Sequence, residues 1–143
     1  MSEDIRITLV PKDYVHQVWD HVEGYLEDAV ALTDGRYTVD DALQLVMFHN
    51  YILWVAFDRD VIKGAVITGF IQYPKRKVLH IQFLGGVEGR SWKDAMLHTL
   101  QRFARDSQCA CVEAAGPDAW GRVLQNDGFK PLWQTFELPI AGD

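Results

Sequence analysis

Residues His80 to Leu100 read HIQFLGGVEGRSWKDAMLHTL, and this stretch decides the fold of the chain. An apolar, strand-like run breaks into a glycine-rich turn, GGVEGRS, which leads directly into an amphipathic helix. Backbone amides at such a turn, together with the helix N-terminus, can bind a phosphate. The same residues can also simply begin a helix, with Ser91 as N-cap and Asp94 completing a capping box. Both interpretations of the turn stay open at this point.

Composition indicates an ordinary globular protein. The chain has 143 residues, 48% of them hydrophobic and 24% charged, which fits one domain spanning residues 1–143. Its net charge of -6, without a strongly basic block, gives little support to nucleic-acid binding. The N-terminus lacks the pattern of a secretory signal peptide, and no apolar run approaches the length of a membrane span. We therefore expect a soluble protein that does not bind membranes.

Metal chemistry has no support in the sequence. Cys109 and Cys111 are one residue apart, which is neither the C-x-x-C redox spacing nor part of a zinc-binding pattern. We interpret both as reduced residues in or near the core. No metal site is predicted.

Hydrophobic periodicity and turn residues predict ten elements in the order βααβββαβαβ. Three strands in series, joined by short turns, predict an antiparallel meander, and the helices between later strands predict parallel crossovers. The fold class is therefore α/β, with a mixed central sheet covered by helices. The predicted strands are 5–10, 51–57, 64–73, 78–84, 110–114 and 132–138. The predicted helices begin at residues 14, 38, 91 and 119, the last one covering residues 119–125. A capping box of Thr38 and Asp41 is predicted to begin the second helix, and the predicted buried stripe of the third comprises Trp92, Met96, Leu100 and Phe103.

This order of elements resembles the GNAT superfamily of acyl-CoA-dependent N-acetyltransferases along nearly the whole chain. In that family the fourth strand leads through a Q/R-x-x-G-x-G/A turn into a helix, and the quoted stretch occupies this place. The family also often shows a short helix ending F-Y-x-K-x-G-F, of which Gly128-Phe129 is retained here. The resemblance implies the GNAT fold and a site for acetyl-CoA or CoA.

A closer likeness is to small GNAT-like proteins encoded by phages and prophages. Shared features are DGRYT at 34–38, LWVAF at 53–57, YPKRKVL at 73–79, a C-x-C-V-E run and G-x-x-x-W-G-R-V-L at 116–124. Some such relatives are virion proteins. The resemblance thus implies either an amine substrate or phage structural proteins as partners, and a location in the host cytoplasm or the virion. It does not indicate the oligomeric state.

The resemblance places the CoA pyrophosphate on the backbone amides of the glycine-rich turn. With Gly89 as the central glycine of the motif, Gly86 takes the Q/R position and Ser91 takes the final G/A position. Glu88 brings a negative charge close to the expected phosphate, and Arg90 is a cation that can offset it. The expected cofactor-binding residues are Gly85, Gly86, Val87, Glu88, Gly89, Arg90 and Ser91.

Catalysis by such an enzyme needs a base for the amine and often a tyrosine that protonates the departing thiolate. His80 on the third meander strand and Glu113 on the next strand are the candidate bases, although each can also be a purely structural residue. The position that matches the tyrosine is Leu124, which has no proton to donate. Two functions therefore stay open: an N-acetyltransferase with an incomplete active site, and a non-catalytic virion or interaction protein on the same scaffold.

Overall fold

A computed structural model describes residues 4–117 and 121–140 of the chain. Within these residues the strands are β1 (Ile5–Val10), β2 (Ile52–Asp58), β3 (Val61–Tyr73), β4 (Arg76–Gly86) and β5 (Cys111–Ala114). The helices are α1 (Val15–Ala31), α2 (Val39–Phe48), α3 (Gly89–Asp106) and α4 (Gly121–Asn126), and a short 3-10 helix at Lys12–Tyr14 precedes α1. None of these helices is long and apolar enough to cross a bilayer.

The five strands form one mixed sheet in the order β1-β2-β3-β4-β5. The pairs β1–β2, β2–β3 and β3–β4 are antiparallel. The short turns between β2, β3 and β4 produce the predicted meander. Helix α3 carries the chain back along the sheet, so that β5 runs parallel to β4. The predicted fold class, α/β with a mixed sheet, is therefore confirmed.

Helices α1 and α2 cover one face of this sheet. The apolar residues of α1 repeat at helical spacing and form a buried stripe against the strands. Thr38 caps α2, because its hydroxyl accepts from the Asp41 amide at 3.1 Å and the Asp41 carboxylate accepts from the Thr38 amide at 2.8 Å. This is the predicted capping box. The buried core of this face comprises Val10, Val15, Trp19, Val22, Leu26, Ala29, Val30, Ala42, Val46, Leu53, Val55, Ala65, Ile67 and Phe83.

Helix α3 covers the opposite face. Its predicted stripe is confirmed: Trp92, Met96 and Leu100 are buried, and Phe103 packs edge-on against the ring of Trp54. The buried core of this face comprises Trp54, Ala56, Val66, Leu79, Ile81, Trp92, Met96, Leu100 and Ala104.

The predicted last strand, residues 132–138, is wrong. In the structure this region has no regular secondary structure, and residues 130–140, here called the C-terminal segment, are all exposed. Strand propensity alone does not make a strand, which also needs a neighbouring backbone to pair with. Instead, an ion pair between Glu137 and Arg36 at 2.6 Å attaches the segment to the α1–α2 turn. The predicted helix at 119–125 is observed from Gly121, and its first two residues lie outside the described residues.

Candidate functional site

β4 and β5 form a fork. β5 pairs with four residues of β4, Val78 to Ile81, opposite Cys111 to Ala114. Beyond Ile81, β4 continues to Gly86 while β5 ends, and the two chains separate around a cleft of about 450 Å³. The carboxyl ends of strands are where open α/β sheets commonly bind ligands. The cleft is lined by the end of α1, the second half of β4, the start of α3, the residues after β5, and α4.

The cleft side of β4 has an unpaired backbone edge. Residues 83–86 pair with β3 on one side, but no strand of the described chain pairs with residues 82–86 on the other. Gln82 adds to this edge as a β-bulge, because Thr68 lies opposite Ile81 while Ile67 lies opposite Phe83. An extended ligand that carries amides can pair with such an edge through its own N–H and C=O groups.

The glycine-rich turn at the mouth of the fork is shorter than the sequence suggested. Gly85 and Gly86 belong to β4, where they lie opposite Ala65 and Gly64, and α3 already begins at Gly89. The predicted capping box of Ser91 and Asp94 is wrong, since Ser91 lies inside the helix. Its hydroxyl donates to the Glu88 carbonyl oxygen at 2.8 Å instead.

Packing of Trp92 explains this shortened turn. The ring of Trp92 is buried against Gly64 and Gly86, where added Cβ atoms would come within 2.3 Å and 3.0 Å of it. Its indole Nε1 donates to the carbonyl oxygen of Val87 at 2.9 Å. The ring thus joins the start of α3 to the end of β4, which leaves Val87 and Glu88 as the connection.

Three backbone amides at this turn are free to bind an anion. The Val87 amide donates to the Lys63 carbonyl oxygen at 2.8 Å, and the Ser91 amide donates to the Glu88 carbonyl oxygen at 2.9 Å. The amides of Glu88, Gly89 and Arg90 have no acceptor among the described residues. Unpaired amides at a helix N-terminus carry partial positive charge and attract anions. Of the five backbone amides from Val87 to Ser91, three therefore remain available.

The negative charge of Glu88 is balanced by a lysine rather than by Arg90. Glu88 has a left-handed backbone, with φ of 54°, and its carboxylate lies 2.5 Å from Lys63 Nζ. This hydrogen bond, with the nearby negative charge, raises the pKa of Lys63. Arg90 is exposed and forms no ion pair with any described residue. The structure therefore reduces the repulsion that Glu88 would exert on a bound phosphate.

Gly89 is the glycine of the turn that fits a ligand-binding role. An added Cβ at Gly85 would lie 2.1 Å from the Tyr25 carbonyl oxygen, and one at Gly86 would lie 2.4 Å from the Lys63 carbonyl oxygen. Those two glycines are required by packing. A Cβ at Gly89 would meet nothing within 4 Å, and Gly89 lines the cleft. The space around its Cβ position is open, so a ligand can approach the backbone at this residue.

The two candidate bases lie together at the closed end of the fork. His80 Nδ1 is 3.0 Å from Glu113 Oε1, and the Tyr73 hydroxyl donates to the same carboxylate at 3.2 Å. The adjacent pair, Ile81 and Ala114, lines the cleft, although His80 and Glu113 themselves do not. The sequence prediction named both bases but missed Tyr73. Tyr73 is the last residue of β3, seven residues before His80. This short separation in the chain was the signal that the sequence offered for their proximity.

The tyrosine that usually protonates a leaving thiolate is absent from the described walls of the cleft. Leu124 lines it, and no tyrosine does so within residues 4–117 and 121–140. Tyr25 is three residues before Asp28, which lines the cleft, but the Tyr25 hydroxyl donates to the Ile62 carbonyl oxygen at 3.0 Å. No group of three potential metal ligands occurs in the described part of the chain.

The end of α1 also belongs to the site, and sequence reasoning did not find this contribution. Asp28, Leu32 and Thr33 line the cleft opposite α3. Their helix was predicted, but its approach to β4 depends on the contact between Gly85 and the Tyr25 backbone. A contact across sixty residues leaves no local pattern.

Comparison with solved structures identifies the class of fold. A ribosomal-protein-alanine N-acetyltransferase from Brucella melitensis biovar Abortus 2308 superposes with a TM-score of 0.70 and 14% identity, covering 96% of this chain and 99% of that one. An aminoglycoside acetyltransferase from an uncultured soil sample gives 0.71 and 12%, with coverage of 96% and 99%. A GNAT family acetyltransferase from Staphylococcus aureus gives 0.63 and 13%, with the same coverage. No protein-family model and no curated protein sequence matches the chain.

The chain therefore has the GNAT acetyltransferase fold, as one α/β domain with a five-stranded mixed sheet. At these identities the likeness establishes the fold, and function has to be argued from the site.

Proposed function

We propose that this chain is an acyl-CoA-dependent N-acetyltransferase that acts slowly on an amine. The observation that carries the proposal is the fork between β4 and β5, with its unpaired β4 edge and the open Gly89 turn at its mouth. An extended edge, an apolar cleft and free amides for an anion are the features that a pantetheine chain ending in a pyrophosphate requires.

Each part of the site would hold a different part of acetyl-CoA. The free edge at 82–86 can pair with the amides of the pantetheine arm. The amides of Glu88, Gly89 and Arg90 can donate to the pyrophosphate, and Arg90 is a free cation beside them. Acetyl-CoA supplies the acetyl group as an activated thioester.

The reaction needs two proton transfers, and the chain provides for one of them. As the new N–C bond forms and the C–S bond breaks, the amine must lose a proton, which His80 or Glu113 can accept. The thiolate must also take up a proton, and Leu124, at the place of the usual tyrosine, cannot supply it. General acid catalysis is worth about 10²–10⁴ in rate, so turnover is expected to be slow.

Calorimetric titration with CoA and acetyl-CoA tests the binding step. Wild-type protein should bind both. Gly89→Asp should weaken binding strongly, since it places a carboxylate in the open space beside the free amides. The matched control is Gln44→Glu, which adds the same charge at an exposed position of α2 and should leave the affinity unchanged. Unchanged binding by Gly89→Asp would place the CoA site elsewhere.

A thiol-release assay with a panel of amines tests the chemistry. We expect slow or barely measurable turnover by the wild-type protein. Leu124→Tyr should raise the rate, because it places a hydroxyl on the cleft wall. Gln125→Tyr, at the neighbouring exposed residue that does not line the cleft, is the control and should not. Fast, saturable turnover by the wild-type protein would contradict the view that the missing tyrosine limits the enzyme.

A second candidate is a phage or prophage protein that uses this scaffold for protein contacts without catalysis. The C-terminal segment favours it, because five large apolar side chains there are 59 to 89% exposed: Leu132, Trp133, Phe136, Leu138 and Ile140. Exposed apolar groups in one segment often mark an interaction site. The absence of both CoA binding and turnover would favour this function. A phage structural protein would then be the partner in place of an amine.

A further inference from the structure

His80 and Glu113 lie directly opposite each other in the parallel pair of β4 and β5. On the other side of β4, His80 lies opposite Gly69 of β3. The ring of Tyr51 covers Gly69, since a Cβ added there would lie 2.4 Å from that ring. Paired residues share a face of the sheet, so the imidazole projects beside Tyr51 on the face that α1 and α2 cover.

The carboxylate of Glu113 accepts hydrogen bonds from two sides. His80 Nδ1 is 3.0 Å from Oε1, and the Tyr73 hydroxyl lies 3.2 Å and 3.4 Å from the two oxygens. The side chains of His80 and Glu113 are only 15% and 14% exposed. Burial next to the carboxylate raises the pKa of Tyr73, which keeps its hydroxyl protonated as a donor. These contacts leave Glu113 little freedom to turn away.

This arrangement determines which imidazole nitrogen carries the proton. A carboxylate accepts hydrogen bonds, so Nδ1 must donate and is the protonated nitrogen of the neutral ring. Nε2 makes no hydrogen bond with any described residue. It therefore keeps a free lone pair. A histidine without such a partner favours the other tautomer, with the proton on Nε2.

The cluster lies beside the place where acetyl transfer would occur. Ile81 and Ala114 are the next pair along the two strands, the last pair before the fork opens, and both line the cleft. His80 and Glu113 are thus one residue from the cleft wall on both strands, with the imidazole on the face of the sheet from which the end of α1 also lines the cleft.

We propose that Glu113, held by Tyr73, is a positioning residue that fixes His80 as the Nδ1–H tautomer, so that Nε2 takes the proton from the acceptor amine. This inference rests on the proposed acetyltransferase function. It separates the roles of the two candidate bases: His80 is the base, and Glu113 acts through it.

Nitrogen NMR of the imidazole rings tests the positioning directly and needs no substrate. When its ring is neutral, His80 should show a protonated Nδ1 and an unprotonated Nε2. The other four histidines, His16, His21, His49 and His98, are exposed and serve as internal references with the opposite preference. A neutral His80 ring with its proton on Nε2 would overturn the proposal.

Variants of Glu113 distinguish positioning from a purely structural role. Glu113→Ala should lose the Nδ1–H tautomer of His80, whereas Glu113→Gln should retain it, because the amide oxygen still accepts from Nδ1. Unchanged circular dichroism and a cooperative thermal unfolding transition show that a variant is folded. If the tautomer persists in Glu113→Ala, Glu113 does not set it and the proposal fails.

Kinetics then connects the tautomer to the reaction. Glu113→Ala and Tyr73→Phe should lower kcat, the former by at least about 10-fold, within the contribution of a general base. The KM for acetyl-CoA should stay the same, since the expected CoA contacts are at residues 82–90. Tyr14→Phe, at an exposed tyrosine, is the control. Unchanged kcat in Glu113→Ala overturns the proposal. Absence of acetyl-CoA binding by the wild-type protein instead refutes the proposed function. The NMR experiment still decides whether Glu113 sets the tautomer of His80, because it needs no substrate.

Discussion

Gly85, Gly86 and Gly89 look alike in the sequence but have different physical roles. Gly85 allows the backbone of α1 to approach β4, and Gly86 has φ of 152° and lies under the ring of Trp92. Gly89 has no such constraint, since space is open around it. Two of the three glycines are therefore explained by folding, and the third by access to the cleft.

Alanine substitution separates these roles. Gly86→Ala should lower the free energy of unfolding by about 1–3 kcal/mol, because the side chain meets the Lys63 carbonyl oxygen in a backbone conformation that alanine rarely adopts. Gly89→Ala should not lower it, because the first residue of a helix in open space accepts alanine. Urea unfolding measures both. Equal losses in the two variants would contradict this division.

Cys109 should be a slow nucleophile. Burial raises the pKa of its thiol, nearby Lys77 opposes that effect, and Cys111 adds to it. Less thiolate is then present at pH 8, so iodoacetamide should modify Cys109 more slowly in folded Cys111→Ser protein than in the same variant in urea. The rate at which iodoacetamide modifies Cys109 should level off at a higher pH in the folded protein than in the unfolded chain. Mass spectrometry measures the modification, and equal rates in both states would argue against a buried thiol.

At the scale of elements, α3 is the helix that attaches the site to the sheet. It supplies Trp92 at the turn and a buried stripe along its length, of which Leu100 is fully buried. Its N-terminus forms one wall of the cleft. Loss of packing along α3 should therefore affect the stability of the whole domain.

Leu100→Ala should destabilise the protein by about 2–5 kcal/mol, since it removes buried methyl groups and leaves a cavity. The neighbouring Gln101→Ala, at an exposed position of the same helix, should change the stability by no more than about 0.5 kcal/mol. Thermal unfolding followed by circular dichroism compares them. A melting temperature unaffected by Leu100→Ala would exclude the observed packing of α3.

The two predicted capping boxes provide another test at this scale. Thr38→Ala should cost about 1 kcal/mol, because the Thr38 hydroxyl satisfies the Asp41 amide at the start of α2. Ser91→Ala should have a smaller effect, within about 0.5 kcal/mol, because Ser91 bonds a carbonyl within the first turn of α3 and caps nothing. Chemical denaturation of the two variants gives the comparison, and a larger loss for Ser91→Ala would restore it as the cap.

At the scale of the whole molecule, the sheet and the C-terminal segment should differ in stability. β3 pairs along both edges and its residues 64–69 are buried, while residues 130–140 are exposed and belong to no strand. Amides of β3 should therefore exchange with solvent most slowly, and those of the C-terminal segment fastest. Hydrogen exchange followed by mass spectrometry tests this. Strong protection at 132–138 would indicate that this region pairs as a strand in solution, as its sequence had suggested.

Local patterns in the chain were enough to predict most of the elements and the fold class. Helical spacing in α1 and α3, the Thr38 cap, and the turns of the meander each depend on residues a few positions apart. Their physical causes, side-chain burial along one face and satisfaction of nearby amides, are present in short segments. His80 and Glu113 could be named as candidates for the same reason, because their side-chain chemistry is visible in the sequence.

Contacts between distant residues decided the rest. The start of α3 moved from Ser91 to Gly89 because Trp92 packs on Gly64 and Gly86, and the sequence does not reveal that contact. Residues 132–138 have the composition of a strand, but a strand forms only where another backbone edge pairs with it. The fork between β4 and β5, the hydrogen bonds of Tyr73 and His80 to Glu113, and the approach of α1 to Gly85 likewise depend on register and packing across the sheet. Such contacts join residues far apart in the chain, and only the folded molecule brings them together.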